Sequence, residues 1–371
     1  MNGGGENIKI IISGGGTGGH LFPAIAIANA LRRIEPGVKI LFVGAEGRME
    51  MQKVPEAGYE IEGLPVAGLV RGLSIRNISV AWKLFMSMLE SSRIIRRFRP
   101  DVVVGVGGYA SGPVLRQAQD RGIPTLLQEQ NSYAGVTNKL LARKAGRICV
   151  AYDGMEKYFP AGKIILTGNP VRHTFDNLDA LRSEAYEHFK LSAGLPVTLV
   201  LGGSLGAGTI NESVGGGIGL VDEAGVQMIW QTGSHYYDRM RETAEAAATR
   251  NVRVAGFINR MDLAYAAADI IISRAGAGTI SELALVGKPV ILVPSPNVAE
   301  DHQTHNAMAL VDRGAALLVT DIACATDLIP KALALVKDEA KRAALSENIR
   351  KMAIRNADEV IAREVLKLAG R

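Results

Sequence analysis

The sequence predicts two doubly wound α/β domains, each a parallel sheet covered by helices on both faces. Three observations predict it. Short β-branched runs alternate with longer amphipathic stretches almost from end to end, glycine clusters follow the β-type runs, and the rhythm breaks once, near residues 158–173. Regular alternation of strand and helix patterns means βαβ units and a sheet buried on both sides. The length of 371 residues suits roughly two domains at about 150 residues each. With 47% hydrophobic and 21% charged residues the chain can fill two cores, which excludes a disordered chain or a coiled coil.

Taken in order, residues 8–12, 39–43, 101–106, 125–128 and 147–150 read as strands, with helical patterns such as 23–34 and 135–144 between them. The break falls at Phe159-Pro160-Ala161-Gly162 and again at Gly168-Asn169-Pro170. A second series then reads as strands at 197–201, 227–230, 251–255, 269–273, 289–293 and 316–319, and the tail from about Leu328 is helical and charged. The expected division is therefore 1–167 and 168–371, with the last helix free to pack back on the first domain. Ligands of such sheets bind beyond the carboxyl ends of the strands.

Four glycine loops stand at such ends. The first, Ser13-Gly14-Gly15-Gly16-Thr17-Gly18-Gly19-His20, follows a strand and opens a helix, where backbone amides favour an anion. It also fits G-x-G-x-x-G, and Glu46 would be the acidic residue a dinucleotide site requires. The others are Gly105-Val106-Gly107-Gly108-Tyr109-Ala110-Ser111-Gly112, Gly202-Gly203-Ser204-Leu205-Gly206-Ala207 and Arg274-Ala275-Gly276-Ala277-Gly278-Thr279. Each alone can be a tight turn without a ligand; four at strand ends are hard to explain that way. The fourth leads into Ser281 and Glu282. Its amides suit a diphosphate, while Glu282 either accepts from the two hydroxyls of a ribose or serves the dipole of its own helix.

Composition narrows the partners. Cys149 and Cys324 lie far apart and form no motif, which excludes a disulfide scaffold and a structural zinc site. No apolar run reaches the ~18 residues of a membrane span, and no secretory signal is visible, so a cytoplasmic chain is expected. The net charge of +5 suits an anionic partner. Between Arg71 and Arg99 seven basic residues, including Lys83 and Arg93, face one acid, Glu90, and are interleaved with Ile78, Trp82, Phe85, Leu89 and Ile95. This is either a basic amphipathic surface for an anionic lipid leaflet or a core-facing helix with a solvated back. Lys139, Arg143, Lys144 and Arg147 could extend it. Nucleic acid is set aside, because only 5% of residues are aromatic and no stacking platform is visible.

Seven motifs in order, GGGTGGHLFPAIAIA, GVGGYASGP, QEQNSYAGVTNK, GNPVR, GGSLGA, RAGAGTISELALVGKP and EDHQTHNA, resemble the MurG family of bacterial cell-wall glycosyltransferases. These are UDP-N-acetylglucosamine:undecaprenyl-pyrophosphoryl-MurNAc-pentapeptide N-acetylglucosaminyltransferases. The resemblance runs from about residue 13 to 306. It implies the GT-B fold, two Rossmann-like domains facing a deep cleft, with an acceptor and membrane-associating N-terminal half and a donor-binding C-terminal half. It also implies inverting transfer of GlcNAc from UDP-GlcNAc to lipid I, giving lipid II for peptidoglycan, on the cytoplasmic face of the inner membrane. Cell-wall synthesis and division proteins are the implied protein partners.

Residue by residue, the resemblance places Arg172 and Ile258 at the uracil, Ser204 and the amides from Ala277 through Gly278 to Thr279 at the diphosphate, and Glu282 at the ribose, with Ser281 also among the donor-binding residues. Gln303 and Asn306 reach the GlcNAc hydroxyls, and Thr17, Gly18, Gly19 and Asn131 contact the sugar end of the donor. His20, Tyr109, Ser111 and Glu129 line the acceptor side. Many relatives carry histidine where this chain has Gln128, so no role of that histidine carries over. Inversion needs a general base at the attacking hydroxyl, and His20 or Glu129 is the candidate; His20 at a helix start could instead cap its own loop. His302 and His305, three apart, could bind metal, but no acidic ligand motif or D-x-D accompanies them. No cofactor and no obligatory metal is therefore expected. The alternatives are a UDP-GlcNAc 2-epimerase, a transferase for another lipid acceptor, or a binding module without turnover.

Overall fold

The computed structural model describes residues 7–66, 76–171, 175, 177–203 and 206–370, with the backbone alone at 76–79, 81 and 299. Two compact units divide the chain. The first comprises Met1–Val171 together with Ile354–Arg371, the second Arg172–Ala353. The division expected at 167/168 falls four residues later, and the second unit closes at 353, because the C-terminal segment belongs to the first unit.

The first unit holds a seven-stranded parallel sheet in the order β3-β2-β1-β4-β5-β6-β7. Its strands are β1 (Lys9–Ser13), β2 (Lys39–Ala45), β3 (Glu60–Leu64), β4 (Val102–Gly105), β5 (Thr125–Glu129), β6 (Arg147–Val150) and β7 (Ile164–Leu166). The run KIIIS of β1 has no polar side because both faces are covered. Ile10 and Ile12 pack with Leu21, Ile27 and Leu31 on one face, while Ile11 packs with Val103, Val114 and Leu127 on the other. Each such buried isoleucine contributes about 1.5–3 kcal/mol. The helix Ala357–Leu368 lays Ile361, Ala362 and Val365 into the first of these cores against the helix Gly18–Ile34, and Asp358 meets Arg33 at 2.7 Å. This is why the tail leaves the second unit.

The second unit is a six-stranded parallel sheet in the order β10-β9-β8-β11-β12-β13. Its strands are β8 (Val197–Leu201), β9 (Gln227–Gln231), β10 (Val252–Ala255), β11 (Ile270–Ser273), β12 (Val290–Leu292) and β13 (Leu317–Leu318). Trp230, fully buried, anchors its core and donates from Nε1 to Asn211 Oδ1 at 2.9 Å. The strands β3 and β7 are not among those expected from sequence. β3, EIEGL, interrupts its apolar residues with acids, and β7 is three residues long at the sheet edge.

Candidate active site

In a doubly wound sheet a crevice opens where the strand order reverses. In the first unit that point is β1, flanked by β2 and β4, and Ser13 pairs with Gly105. The loops after β1 and β4 therefore leave the sheet side by side. A Cβ on Gly108 (φ +84°) would stand 2.4 Å from the Gly15 carbonyl oxygen, and one on Gly14 would stand 2.1 Å from Val106 Cγ2. Glycine lets these two loops run backbone against backbone. His20 sits in the first turn of the helix Gly18–Ile34, its Nδ1 3.1 Å from Thr17 Oγ1. Its Nε2 edge lies over Gly107, where a Cβ would come within 2.7 Å of Nε2. The ring is thus oriented from both sides. Tyr109 is 60% exposed, whereas Ser111 is buried and donates from Oγ to the Gly108 carbonyl at 3.0 Å.

The next strand end carries a sealed polar network. Glu129, at the end of β5, is 2% exposed. Its carboxylate accepts from the Asn131 amide at 3.2 Å, Asn131 Nδ2 at 3.3 Å, the Gly135 amide at 3.0 Å and Asn138 Nδ2 at 2.9 Å. Burial pushes its carboxyl above the ordinary glutamate range, and these four bonds pull the other way. Asn131 is thereby tied to the same turn. Gln128, the departure from the family motif, is buried too: its Nε2 donates to Asn169 Oδ1 at 2.9 Å, and its Oε1 accepts from Gln130. Asn169 Nδ2 in turn donates to the Gln130 carbonyl at 2.9 Å. Position 128 thus carries a buried amide, with donor and acceptor but no titrating proton.

In the second unit the order reverses at β8, and Leu201 pairs with Ser273. The chain therefore leaves β8 and β11 side by side, at Gly202 and Arg274. The helix Ala277–Val286 starts from Gly276, its first bond running from the Ile280 amide to the Gly276 carbonyl at 2.9 Å. The amides of Ala277, Gly278 and Thr279 precede that bond and have no acceptor within the helix. No acid stands in this first turn, and a side chain built on Gly278 meets nothing within 4 Å. Ser281 Oγ donates to the Ala277 carbonyl at 3.1 Å.

Glu282 is half-buried one turn on, with Tyr265 OH 3.5 Å from its Oε2. Tyr265 is fully buried, and burial together with the Glu282 charge holds its hydroxyl well above the ordinary range. The Ile258 amide donates to Gln231 Oε1 at 3.3 Å. Gln303 Oε1 accepts from the Ser295 amide at 2.9 Å, and buried Asn306 donates from Nδ2 to the Ala275 carbonyl at 3.4 Å. Gln303 and Asn306, expected at a sugar, here bond the backbone at Ser295 and Ala275. Arg274, which the sequence marks only as the first residue of its glycine loop, joins Asp321 at 2.6 Å and the carbonyls of Val293 and Pro294 at 3.1 and 3.2 Å. Arg172 and Ser204, and the side chain of Ile78, lie outside the described residues.

The basic segment divides in two. Ile94 and Ile95 are buried in the first unit's core, so Ile95 does not belong to an outward stripe. Trp82, Leu84, Phe85 and Leu89 are exposed on the same helix, Arg76–Phe98, with the Trp82 and Phe85 rings 5.8 Å apart. Lys83 and Arg93 are exposed beside them, Arg93 3.0 Å from Glu90. Periodicity alone could not separate these two halves. Glu46, the residue a dinucleotide site would use, is exposed, whereas Glu50 in the next helix is fully buried. Among the described residues no helix is long and apolar enough to cross a membrane, and no group of three or more His, Cys, Asp or Glu is arranged to hold a metal ion.

Two parallel-sheet Rossmann-like halves, each with glycine loops at its point of strand reversal, are the architecture of GT-B glycosyltransferases. Residues 10–150 match the glycosyltransferase family 28 N-terminal domain and residues 197–363 the family 28 C-terminal domain. The chain belongs to glycosyltransferase family 28. A curated relative from Bacteroides fragilis, named UDP-N-acetylglucosamine--N-acetylmuramyl-(pentapeptide) pyrophosphoryl-undecaprenol N-acetylglucosamine transferase, is 57% identical over 98% of this chain and 97% of its own length. One of the same name from Flavobacterium psychrophilum is 51% identical over 98% of both. Among solved structures, MurG of Acinetobacter baumannii aligns with a TM-score of 0.80 at 28% identity, covering 97% of this chain and 99% of that one. A UDP-GlcNAc 2-epimerase from Neisseria meningitidis aligns at 0.65 and 16% identity, over 97% of this chain and 100% of that one, which is a likeness of fold alone.

Proposed function

We propose that this chain transfers GlcNAc from UDP-GlcNAc to the 4-hydroxyl of MurNAc in undecaprenyl-pyrophosphoryl-MurNAc-pentapeptide, converting lipid I to lipid II with inversion. The observation that carries this reading is the 57% identity over 98% of the chain to a relative named for that transfer. The two rims supply fitting chemistry. The amides of Ala277, Gly278 and Thr279 receive the diphosphate, where helix-end amides stabilise the charge left on UDP. Glu282, backed by Tyr265, accepts from the ribose hydroxyls; Ser204, Ser281, Arg172 and Ile258 complete the nucleotide site, and Gln303 and Asn306 the sugar site. On the first unit, Thr17, Gly18, Gly19 and Asn131 meet the sugar end of the donor, and Tyr109 and Ser111 the acceptor.

In the reaction the acceptor O4 forms a bond to the anomeric carbon as the bond from that carbon to the β-phosphate oxygen breaks. The O4 proton passes to His20 at Nε2, the nitrogen not engaged with Thr17. Glu129, sealed and bonded four times within its own turn, shapes the Asn131 loop and leaves the proton to His20. UDP-GlcNAc and lipid I are the substrates, and no metal or cofactor is required. Exposed Trp82 and Phe85 with Lys83 and Arg93 rest on the anionic inner leaflet, making the protein peripheral on the cytoplasmic face, where cell-wall synthesis and division proteins are its neighbours. Nucleic acid is not a ligand.

The test is transfer of labelled GlcNAc from UDP-GlcNAc to a short-chain lipid I analogue. Label in the lipid product is the expected result. UDP-ManNAc appearing without transfer would establish an epimerase instead.

A further inference from the structure

The first glycine loop has the sequence of a phosphate cradle, yet a carboxylate of the chain's own holds one of its amides, that of Gly16. Glu50 is fully buried. The Gly16 amide donates to both of its carboxylate oxygens, each at 3.0 Å, and the Ala45 amide donates to Oε1 at 3.0 Å. Two glycines make the space. A Cβ on Gly15 would stand 2.3 Å from Glu50 Oε1, and one on Gly44 would stand 2.6 Å from its Cγ. Glu50 opens the helix Glu50–Glu56, where an acid ordinarily serves its own helix dipole. Here the carboxylate instead binds the ends of β1's loop and β2. From Gly16 the chain passes directly to Thr17, which holds the His20 ring, and to Gly18, which starts the helix.

We propose that Glu50 is a positioning residue for the transfer: its carboxylate ties the Gly16 amide of the first glycine loop to the end of β2 and sets the backbone that presents His20. The proposal rests on the reading of the chain as a transferase with His20 as its base. A buried carboxylate accepting backbone amides is a charge-assisted clamp, stiffer than a neutral turn.

The test uses the full-length protein and its Glu50→Gln and Glu50→Ala variants, with UDP-GlcNAc and a short-chain lipid I analogue. The amide of Glu50→Gln turns one acceptor into a donor facing backbone N–H groups. Its kcat is expected to fall roughly 10- to 100-fold, the scale of a small misplacement of a reacting group, with a smaller rise in KM for UDP-GlcNAc, because Thr17, Gly18 and Gly19 of the same loop meet the donor sugar. Formate should restore kcat in Glu50→Ala, where the carboxylate's place is empty, and leave Glu50→Gln, where it is filled, unchanged. The His20 imidazole resonance, assigned through a His20→Gln spectrum, should move in Glu50→Gln.

An unchanged kcat in Glu50→Gln overturns the proposal, as does a loss shared equally between kcat and donor KM. If Glu50→Ala does not fold, Glu50→Gln alone carries both the kinetic and the resonance tests. Wild-type protein that makes no lipid product overturns the transferase reading instead, and the His20 resonance then still decides whether Glu50 sets the loop.

Discussion

The two halves of this chain repeat one device and use it differently. Each places glycine loops where its strand order reverses, at β1 in the first unit and β8 in the second. In the first, the Gly16 amide is already bonded to the buried carboxylate of Glu50. Neither the helix Gly18–Ile34 nor the helix Ala277–Val286 has an acid in its own first turn, and the second helix's acid, Glu282, comes one turn in. The difference teaches that a glycine-rich strand-to-helix turn does not by itself specify a phosphate. In the first unit a residue distant in sequence, Glu50, already holds one of the loop's amides.

If the division of labour holds, substitutions in the two rims separate kinetically. The largest expected effect is in the first: His20→Ala should lower kcat by about 10²- to 10⁴-fold, the range for loss of a general base, with KM for UDP-GlcNAc little changed. In the second, Glu282→Ala should act mainly on the donor. Loss of hydrogen bonds to a charged group, about 1.5–3 kcal/mol, raises KM for UDP-GlcNAc roughly 10- to 150-fold in steady-state assays. A kcat loss as large as that of His20→Ala would break the distinction.

Glu129→Gln sharpens it from another side, because a sealed loop-former should show in folding before chemistry. An amide nitrogen facing the amides of Asn131 and Gly135 should cost about 1–3 kcal/mol in denaturant unfolding. Burial raises the Glu129 carboxyl above its ordinary range, so the folded state holds this proton more tightly than the unfolded chain does. Its contribution to stability is present below the ordinary glutamate range and is lost as pH rises through the folded value. In Glu129→Gln that part of the pH slope disappears. The smallest effect is at the surface: Lys83→Ala should weaken binding to anionic phospholipid vesicles about fivefold, or ~1 kcal/mol, without changing UDP-GlcNAc affinity.

Much of this was legible in the sequence because parallel strands buried on both faces leave near-continuous β-branched runs, and IKIII at 8–12 or VTLVL at 197–201 can hardly be anything else. The loops at their ends were legible because glycine marks them. Less visible were features set by distant partners. Glu50 looks like a surface acid at a helix start until Gly15 and Gly44 are brought around it. Tyr265 and Arg274 gain their meaning only from Glu282 and Asp321, which the fold delivers. The helix Arg76–Phe98 shows one helical periodicity along its length. Only packing reveals that Ile94 and Ile95 enter the core while Trp82 and Phe85 do not. The C-terminal helix packs on the first unit through Ile361 and Val365, a choice that local pattern cannot express.

The most direct test of the central claim, chemistry on the first rim and binding of the donor's nucleotide on the second, is calorimetric titration of UDP-GlcNAc into full-length His20→Ala and Glu282→Ala, beside their rates of transfer. The account predicts wild-type donor affinity with transfer all but lost in His20→Ala, and weakened donor affinity in Glu282→Ala. Donor affinity lost in His20→Ala and kept in Glu282→Ala would contradict it.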